Sequence, residues 1–496
     1  MTGRSREAWR RAGAVLAVLL AMPVMAGPFA PPGDIGLRHD LELLNDSGAM
    51  NLPLTGWPLS WGDIGRGLAE AEGKPLTPAA RAAWERVRAE LEWQQHSGPQ
   101  FELGAALAEA PRLVRTFEDT PRAEAQATAA LSSWLGERVA VRLEATVAAN
   151  PLDGDEVRPD GTYVALALGN WLFSAGWQER WWGPGRDGSL ILSTSARPAP
   201  GFALQRKSSA PFETKWLRWI GPWSLTAFMT ELDDERLIEN TRVLGMRVNF
   251  KPHPSLEIGL SRTAQWCGEG RPCDFAAFRD LVLGNDNQGV NVDPDAEPGN
   301  QLAGIDMRWR LPRAIPAALY MQWIGEDTRR GGPEIGSWLR QVGIEHWGSI
   351  GGLQHRTHLE VSDTQCREGG FGFAEPKPDC AYEHGTYRTG YRYRGHSIGH
   401  AADGDSLAYS LGVTLVQSGG HRWHLSLRHA EINRAGATAL PHTVSETALE
   451  LSDVLLSHER LTDIGLFRFG LGYRHEEDVG GSSSGDLEAF IGWSSR

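Results

Sequence analysis

The densest group of chemically capable side chains lies between Trp177 and Pro198, in the stretch WQERWWGPGRDGSLILSTSARP. Its carboxylates Glu179 and Asp187 could serve as the two carboxyl groups of a glycosidase, whose separation sets the stereochemical outcome. Each carboxylate has an arginine beside it in the chain, so salt-bridge partners are the simpler interpretation. We therefore predict a protein that is not an enzyme, with no cofactor and no bound metal.

The tryptophans of this stretch have two interpretations, and both stay open at this point. Trp177, Trp181 and Trp182 can pack inside the protein as part of a plug, as large aromatic side chains commonly do. Alternatively, one or two indole faces stack on sugar rings while Arg186 and Asp187 bond the sugar hydroxyls. Because charges are costly against lipid, the stretch should face protein or water in either case.

The amino terminus has the pattern of a secretory signal peptide. Four arginines precede an apolar run from Ala12 to Met22, and a cleavage pattern ends at Ala26. Residues 1–26 are therefore predicted to be removed on export. The rest of the chain has no run near the ~20 apolar residues that a membrane-spanning helix requires, so a membrane form has to be a β-barrel.

The net charge of the chain is −13 at pH 7 with neutral histidines. Removal of residues 1–26 takes away four arginines and one glutamate, a net +3, and leaves about −16. A strongly acidic chain repels the phosphate backbone of nucleic acid. Nucleic acid is therefore excluded as a partner.

Four cysteines form two local pairs, Cys267 with Cys273 and Cys366 with Cys380, each in a loop rich in glycine and proline. Neither spacing matches the C-x-x-C of zinc knuckles or redox sites. Disulfide bonds persist in exported proteins. We therefore predict two disulfides, each closed within its own loop.

Two kinds of periodicity divide the chain after the predicted signal peptide. The first part is an extended lead-in rich in proline and glycine, followed by two amphipathic helices capped by Ser60 and Thr77. From about Gln100 onward, apolar and polar residues alternate, as in RVAVRLEATV at 138–147. Roughly 16 to 18 segments alternate in this way, many of them long enough to cross a membrane as tilted strands.

The polar face of these segments indicates which way they point. Arginines and carboxylates opposite an unbroken apolar face suit a wet lumen with lipid outside. Short connections such as 417–422 contrast with long ones at 265–300 and 362–404, as in barrels with short periplasmic turns and long outer loops. We therefore predict a helical plug over 27–98 and a transmembrane barrel of antiparallel strands over 99–496.

Two blocks resemble the Wzi capsule-assembly family of Gram-negative outer-membrane proteins: WWGPG-DGSLILS-ARP from Trp181 to Pro198, and W-GPWS from Trp219 to Ser224. The family's plan, a helical unit before a long strand-rich region, covers nearly all of the exported chain. The resemblance implies an outer-membrane barrel of about eighteen strands, blocked by helices on the periplasmic side. It also implies a lectin that holds capsular or related polysaccharide at the cell surface. A porin for small anions or sugars is the alternative function.

A polymer too large to enter a plugged barrel must meet the outer loops first. We therefore predict that the two long loops contribute most of the binding, with the Trp181–Arg197 block as the competing site. The aromatic candidates on the loops are Trp266, Phe275, Phe278, Phe371, Phe373, Tyr382 and Tyr387. The predicted partners are the polysaccharide, outer-membrane lipid and the barrel insertion machinery, with the protein itself a monomer.

Overall fold

The structure is a computed structural model that describes residues 27–95, 98–233, 235–283, 300–312, 314–328, 335–368, 374–417, 419–436 and 442–495. The predicted signal peptide, residues 1–26, lies outside the described residues, and so do Phe371 and Phe373. Within the described ranges, the chain forms a closed β-barrel that is filled by N-terminal helices and by a folded-in connection.

Eighteen long strands of the described chain form the closed antiparallel barrel. Each strand pairs with its neighbours in the chain, and the last pairs with the first, with Phe490 opposite Ala108 and Ser494 opposite Gly104. The predicted barrel is therefore confirmed. The strands are β1 Gln100–Ala108, β2 Ala123–Leu135, β3 Val139–Pro151, β4 Tyr163–Leu168, β5 Trp171–Trp177, β6 Pro200–Arg206, β7 Trp223–Glu231, β8 Arg242–His253, β9 Leu256–Trp266, β10 Gln301–Arg310, β11 Ala317–Thr328, β12 Ile335–Ile350, β13 Leu353–Glu368, β14 Leu407–Val416, β15 His421–Ile432, β16 Leu449–Thr462, β17 Gly465–Asp478 and β18 Ser483–Ser494.

The alternation in β3 shows why these residues form a membrane wall. Leu143 and Val147 are 56% and 59% exposed on the outer face. Arg142 points into the lumen, where it contacts Glu102 at 2.8 Å and Glu144 at 2.7 Å. Because successive side chains on a strand alternate in direction, a strand of this pattern presents an apolar row to lipid and a polar row to the lumen. The predicted orientation of the two faces is confirmed.

The two ends of the barrel carry different connections. Short ones lie at one end, for example at 254–255, 351–352 and 463–464. Long ones lie at the other end, for example at 178–199 and 369–406. Outer-membrane barrels have short periplasmic turns and long outer loops, so the first end is the periplasmic one.

Three helices precede the barrel: α1 Ile35–Ser47, α2 Trp61–Ala71 and α3 Pro78–Gln94. At the start of α2, Ser60 accepts a hydrogen bond from the backbone N–H of Gly62 at 3.2 Å. At the start of α3, Thr77 accepts one from the backbone N–H of Ala80 at 3.2 Å. Both predicted caps are confirmed, because each side chain satisfies a backbone donor that the helix itself leaves unpaired.

The helical unit lies at the periplasmic end of the barrel. Gln354, next to the 351–352 connection, donates a hydrogen bond to the carbonyl of Ala79 in α3 at 3.4 Å. A further helix, α4 Phe275–Leu283, lies in one of the long outer connections. Among the described residues, we find no helix with the length and apolar character needed to cross a membrane.

Helix α1 corrects the prediction of an extended lead-in over these residues. Asp34 caps it by accepting a hydrogen bond from the backbone N–H of Leu37 at 2.8 Å, and Gly48 ends it with a φ of 78°. Its charged side chains, Arg38 and Glu42 among them, are buried because the helix lies in the polar lumen. Leu37, Leu41 and Leu44 recur at helical spacing and are buried in the apolar core of the plug. The prediction from the proline and glycine content of the lead-in was therefore wrong for these residues.

Candidate functional site

The connection between β5 and β6 folds into the lumen and carries the tryptophan block. Trp181 lies opposite Trp57 of the helical unit in a short antiparallel ladder and packs on Phe117 with ring centroids 5.3 Å apart. Trp182 packs on Phe228 of the wall, also at 5.3 Å. The exposed fractions of Trp181 and Trp182 are 0% and 1%. Both indoles are therefore packed inside the protein, with no open face for a sugar ring.

The turn after the tryptophans is held by one wall carboxylate, Glu360 of β13. The backbone N–H groups of Arg186, Asp187 and Gly188 donate to it at 2.8, 3.2 and 3.0 Å. Consecutive backbone N–H groups that point at one anion form an anion-binding nest. No side chain can stand where the backbone and the anion approach each other. A Cβ at Gly188 would lie 2.1 Å from Nε2 of His400, so this position requires glycine.

A buried charge network joins the same turn to helix α1 and to the wall. Arg186 contacts Glu42 of α1, and it contacts Glu345 of β12 at 2.7 Å. Arg356 of β13 contacts Asp46 of α1 and Glu345, both at 2.8 Å. Burial raises the pKa of Glu42, but Arg186 and the other guanidinium groups outweigh burial and lower this pKa to about 2. The plug and the wall are thus held together by paired ions.

The two carboxylates of the block are ion-paired, but their partners are not the adjacent arginines. Glu179 contacts Arg122 at 2.8 Å, and Asp187 contacts Arg428 of β15 at 2.7 Å. Burial raises the pKa of Asp187, but Arg428 outweighs burial and lowers it. Arg180 instead lies over an aromatic ring of the wall, 4.5 Å from its centroid. The salt-bridge interpretation is confirmed, with long-range partners in place of sequence neighbours.

Both predicted disulfides are present in the outer connections. Cys267 and Cys273 are bonded across 6 residues with Cα atoms 4.6 Å apart. Cys366 and Cys380 are bonded across 14 residues with Cα atoms 5.8 Å apart. Each disulfide therefore closes its own loop, as predicted.

Two of the predicted loop aromatics face inward. Tyr382 and Tyr387 have exposed fractions of 0% and 1%. The hydroxyl of Tyr382 donates to the carbonyl of Leu190 in the folded-in connection at 2.7 Å. The hydroxyl of Tyr387 donates to the carbonyl of Cys267 in the other loop at 2.9 Å. These two tyrosines hold residues 374–406, here called the lid, against the folded-in connection and the neighbouring outer loop. They support the outer face of the protein from inside the barrel.

Helix α4 carries an exposed aromatic side chain. Phe275 is 79% exposed, whereas Trp266 is buried and packs against the half-buried Phe278 with ring centroids 5.4 Å apart. Arg279 and Asp280 lie on the same helix and are ion-paired at 2.8 Å. The structure therefore brings one exposed ring and a charged pair together, and it does not bring the predicted loop aromatics into one open row.

Several contacts that hold the lid in place were not predicted. Arg236 donates to the carbonyls of Arg392 and Gly390 at 3.0 and 3.2 Å. Tyr391 donates to the carbonyl of Ile191 at 3.1 Å. The only local signal for these residues is the dense mixture of tyrosine and arginine in TYRTGYRYRG at 386–395, a composition suited to bonding backbone carbonyls.

Comparison with known proteins places the chain in a family. Residues 95–465 match the family described as capsule assembly protein Wzi. A Klebsiella pneumoniae protein, described as an uncharacterized 55.8 kDa protein in the cps region, is 32% identical over 427 residues, which cover 84% of this chain and 81% of that protein. The solved structure of Wzi from Escherichia coli is described as an outer membrane protein involved in group 1 capsule assembly and as a carbohydrate-binding β-barrel. It superposes with a TM-score of 0.81 at 28% identity, covering 94% of this chain and 99% of that one. The plugged barrel described above is therefore an outer-membrane protein that belongs to the Wzi capsule assembly family.

Proposed function

We propose that this protein binds capsular polysaccharide or exopolysaccharide and retains it at the cell surface. Membership of a capsule assembly family supports a role in surface polysaccharide. The carbohydrate binding ascribed to Escherichia coli Wzi supports a saccharide as the ligand. The observation that carries the proposal is the filled lumen, because a barrel blocked by its own chain offers binding surfaces in place of a passage.

The same plug argues against the alternative function of a porin. The folded-in connection is paired to two different sectors of the wall, through Arg186 with Glu345 of β12 and through Asp187 with Arg428 of β15. Porins conduct through a water-filled bore. An ion or sugar crossing this lumen would first have to separate several buried ion pairs, which are costly to break.

The outer loops are the proposed point of first contact with the polymer. Phe275 supplies an exposed ring that can stack on a sugar, and Arg279 and Asp280 supply groups that bond hydroxyls. The competing block from Trp181 to Arg197 has its indoles packed and its one carboxylate, Asp187, paired, which favours a structural role. The buried aromatics of the loops then act as supports for the binding surface.

The proposed function is nonenzymatic, and the protein acts as a monomer in contact with outer-membrane lipid. The ion pairs of Glu179 and Asp187 support a structural role for the two carboxylates that a glycosidase would need. A closed barrel has no free strand edge through which copies could pair, which supports a monomer. The barrel insertion machinery is the proposed route into the membrane.

The test is retention of purified surface polysaccharide by cells that lack or carry the protein. The loop variants are Phe275→Ala and a protein in which residues 275–283 are replaced by a Gly-Ser linker. Trp219→Ala is the matched control, since it removes an aromatic side chain that is 63% exposed in the connection between β6 and β7 at the periplasmic end. We expect both loop variants to retain less polymer and the control to retain as much as the unmodified protein. All should keep the heat-dependent gel shift of a folded barrel.

One result would move the binding site from the loops to the tryptophan block. In that result, the protein with residues 275–283 replaced retains as much polymer as the unmodified protein. The Trp181→Ala protein folds but no longer retains the polymer. No retention by any form of the protein, the unmodified one included, would contradict the proposed function.

A further inference from the structure

A cavity of about 450 Å³ lies in the lumen beside the plug. On one side it is bounded by the inward faces of β1, β2 and β3, and on the other by residues 27–32, 119–122 and 178–179. Its volume falls within the range of roughly 300–1,000 Å³ that is typical of small-molecule sites. Its described walls include residues of neither α4 nor the lid, so it is distinct from the outer surface proposed above.

Small inward residues create this space. Gly104 and Ala106 of β1 and Gly492 of β18 line the cavity at positions where other sectors of the wall carry long charged side chains. A Cβ added to Gly104 would lie no closer than 3.5 Å to its non-adjacent neighbours, and one added to Gly492 no closer than 3.8 Å. Close backbone approach therefore does not require these glycines, and their effect is to leave room inside the barrel.

The polar lining presents fixed and incompletely bonded groups. Arg142 is held by Glu102 through two contacts at 2.8 and 2.9 Å and by Glu144 at 2.7 Å. Arg158 is only 2% exposed and donates to Oε1 of Gln126 at 3.2 Å. Its Nε has no hydrogen-bond partner among the described residues. A buried donor without an acceptor is costly, so the cavity is suited to a ligand that brings acceptors.

Aromatic side chains complete the lining. Trp177 and Phe490 are half-buried and border the same space. A simple anion would use the guanidinium groups alone, and an apolar ligand would leave the Nε of Arg158 without an acceptor. A saccharide uses both the charged and the aromatic side chains of the lining. Its hydroxyls bond planar polar groups, and its C–H faces pack on aromatic rings.

The cavity opens at the periplasmic end of the barrel. Gln94, the last residue of α3, lines its rim, and the side chain of Asp119 on its wall is 52% exposed, so solvent enters. Asp160 on the cavity wall is held by Arg197 at 2.7 Å, and Arg197 also contacts Asp153 at 2.7 Å. The periplasmic end, where Gln94 lies, is therefore the route of entry that we infer for a ligand.

We propose that this cavity is a second saccharide-binding site, which takes a short oligosaccharide or the end of a polysaccharide chain from the periplasmic side. The inference rests on the proposed function, because it takes the ligand of the protein to be a saccharide. Arg158 and the Arg142–Glu102 pair bond the polar groups of the sugar, and Trp177 packs on its ring face. The outer loops and the cavity then bind the same class of ligand at opposite ends of the barrel.

Filling the cavity tests this proposal. Gly104→Leu and Gly492→Leu each place a leucine side chain in the space, and Arg158→Gln removes the buried guanidinium. Ala129→Leu is the matched control, because Ala129 follows Thr128 on β2, is exposed and does not line the cavity. The probe is a set of short oligosaccharides prepared by partial hydrolysis of the host's surface polysaccharide. They are titrated calorimetrically into the purified full-length protein in detergent.

We expect the unmodified protein and the Ala129→Leu control to bind the fragments. The three cavity variants should bind them at least about tenfold more weakly. Those variants should keep the gel shift of a folded barrel and should still bind intact polymer through the outer loops. If a leucine variant does not fold, Arg158→Gln decides the outcome. If intact polymer displaces the fragments from the cavity, the ligand is the end of a polysaccharide chain. If it does not displace them, the ligand is a free oligosaccharide.

Equal fragment affinity in the unmodified protein, the control and the folded cavity variants overturns the cavity site. That result leaves the proposed function intact, because the polymer can still bind at the outer loops. A protein that binds intact polymer but no fragments also overturns the cavity site. An unmodified protein that binds neither fragments nor polymer overturns the proposed function itself.

Discussion

Asp187 of the folded-in connection and Arg428 of β15 are 241 residues apart in the chain and form a buried ion pair at 2.7 and 3.0 Å. Arg428 also contacts Asp453 of β16 at 3.0 Å, so one guanidinium joins the connection to the wall. Buried ions are strongly destabilising when they lose their partners. This pair therefore locks the connection inside the barrel.

Arg428→Ala should lower the free energy of unfolding by about 3–5 kcal/mol, because it leaves Asp187 as an uncompensated buried charge and leaves Asp453 with Arg112 as its remaining partner. Denaturant titration in detergent measures the loss. Arg88→Ala is the control, since Arg88 and Glu92 pair at 2.7 Å with side chains 52% and 60% exposed. Its loss should stay below about 1 kcal/mol. Equal losses in the two variants would contradict the locking role of Arg428.

Trp181→Ala and Trp182→Ala should each lower the free energy of unfolding by about 3–5 kcal/mol, because each removes a fully buried aromatic side chain and leaves a cavity. The matched substitution is Trp216→Ala, whose side chain is 72% exposed and whose loss should stay within about 0.5 kcal/mol. Polymer binding by the folded fraction should be unchanged in all three. Normal stability together with release of the polymer would show that these indoles contact sugar.

Acid should weaken the attachment of α1 to the wall. The pKa of Glu42 is lowered from 4.5 to about 2 in the folded protein, because the guanidinium groups led by Arg186 outweigh the effect of burial. A carboxyl group with a depressed folded pKa contributes stability above its unfolded pKa, and the contribution is lost as pH falls through the folded value. Stability on the order of 3 kcal/mol should therefore disappear between pH 4.5 and 2.

The measurement is the free energy of unfolding as a function of pH for the unmodified protein and for Glu42→Gln. The Gln variant should be less stable at neutral pH and should have a flatter acid dependence between pH 4.5 and 2. Glu92→Gln, at an exposed position on α3, should keep the slope of the unmodified protein. If Glu42→Gln kept the slope of the unmodified protein, Glu42 would not be the group responsible for this acid dependence.

Replacement of Cys366 and Cys380 by serine should leave the barrel folded and loosen the lid. The wall strands are held by their own hydrogen-bond ladders, whereas the disulfide constrains only the 14-residue separation that it closes. The heat-dependent gel shift should persist while protease cleaves within residues 374–406 more rapidly. Cleavage within residues 207–222, the connection between β6 and β7, is the internal control and should keep its rate. Loss of the gel shift would show that the disulfide supports the barrel itself.

The purified protein should not form an open channel in a planar bilayer. Helix α1 and the folded-in connection lie in the lumen and are held there by ion pairs such as Arg186 with Glu345. A general porin reconstituted in the same membrane provides the positive control. Steady single-channel conductance of the unmodified protein would favour the porin function over a plugged binding protein.

Features that depend on neighbouring residues could be predicted from the sequence. The alternation at 138–147 indicates a strand with one lipid-facing row, because side chains on a strand alternate in direction. Ser60 and Thr77 indicate helix starts, because a cap bonds a backbone N–H two or three residues away. The disulfides Cys267–Cys273 and Cys366–Cys380 were also predictable, since each joins nearby residues within a loop.

Features that depend on distant residues were decided only by the tertiary structure. The position of helix α1 in the lumen is one of these features, because its charged side chains find their partners on distant wall strands, as Asp46 does with Arg308 and Arg356. Glu179 pairs with Arg122 and not with its sequence neighbour, because partners in a lumen come from segments far along the chain. The burial of Tyr382 and the cavity beside Gly104 likewise arise when the barrel closes around the plug. Local patterns thus determine the wall and its orientation, whereas closure of the barrel determines which side chains meet inside it and which surfaces are left for a ligand.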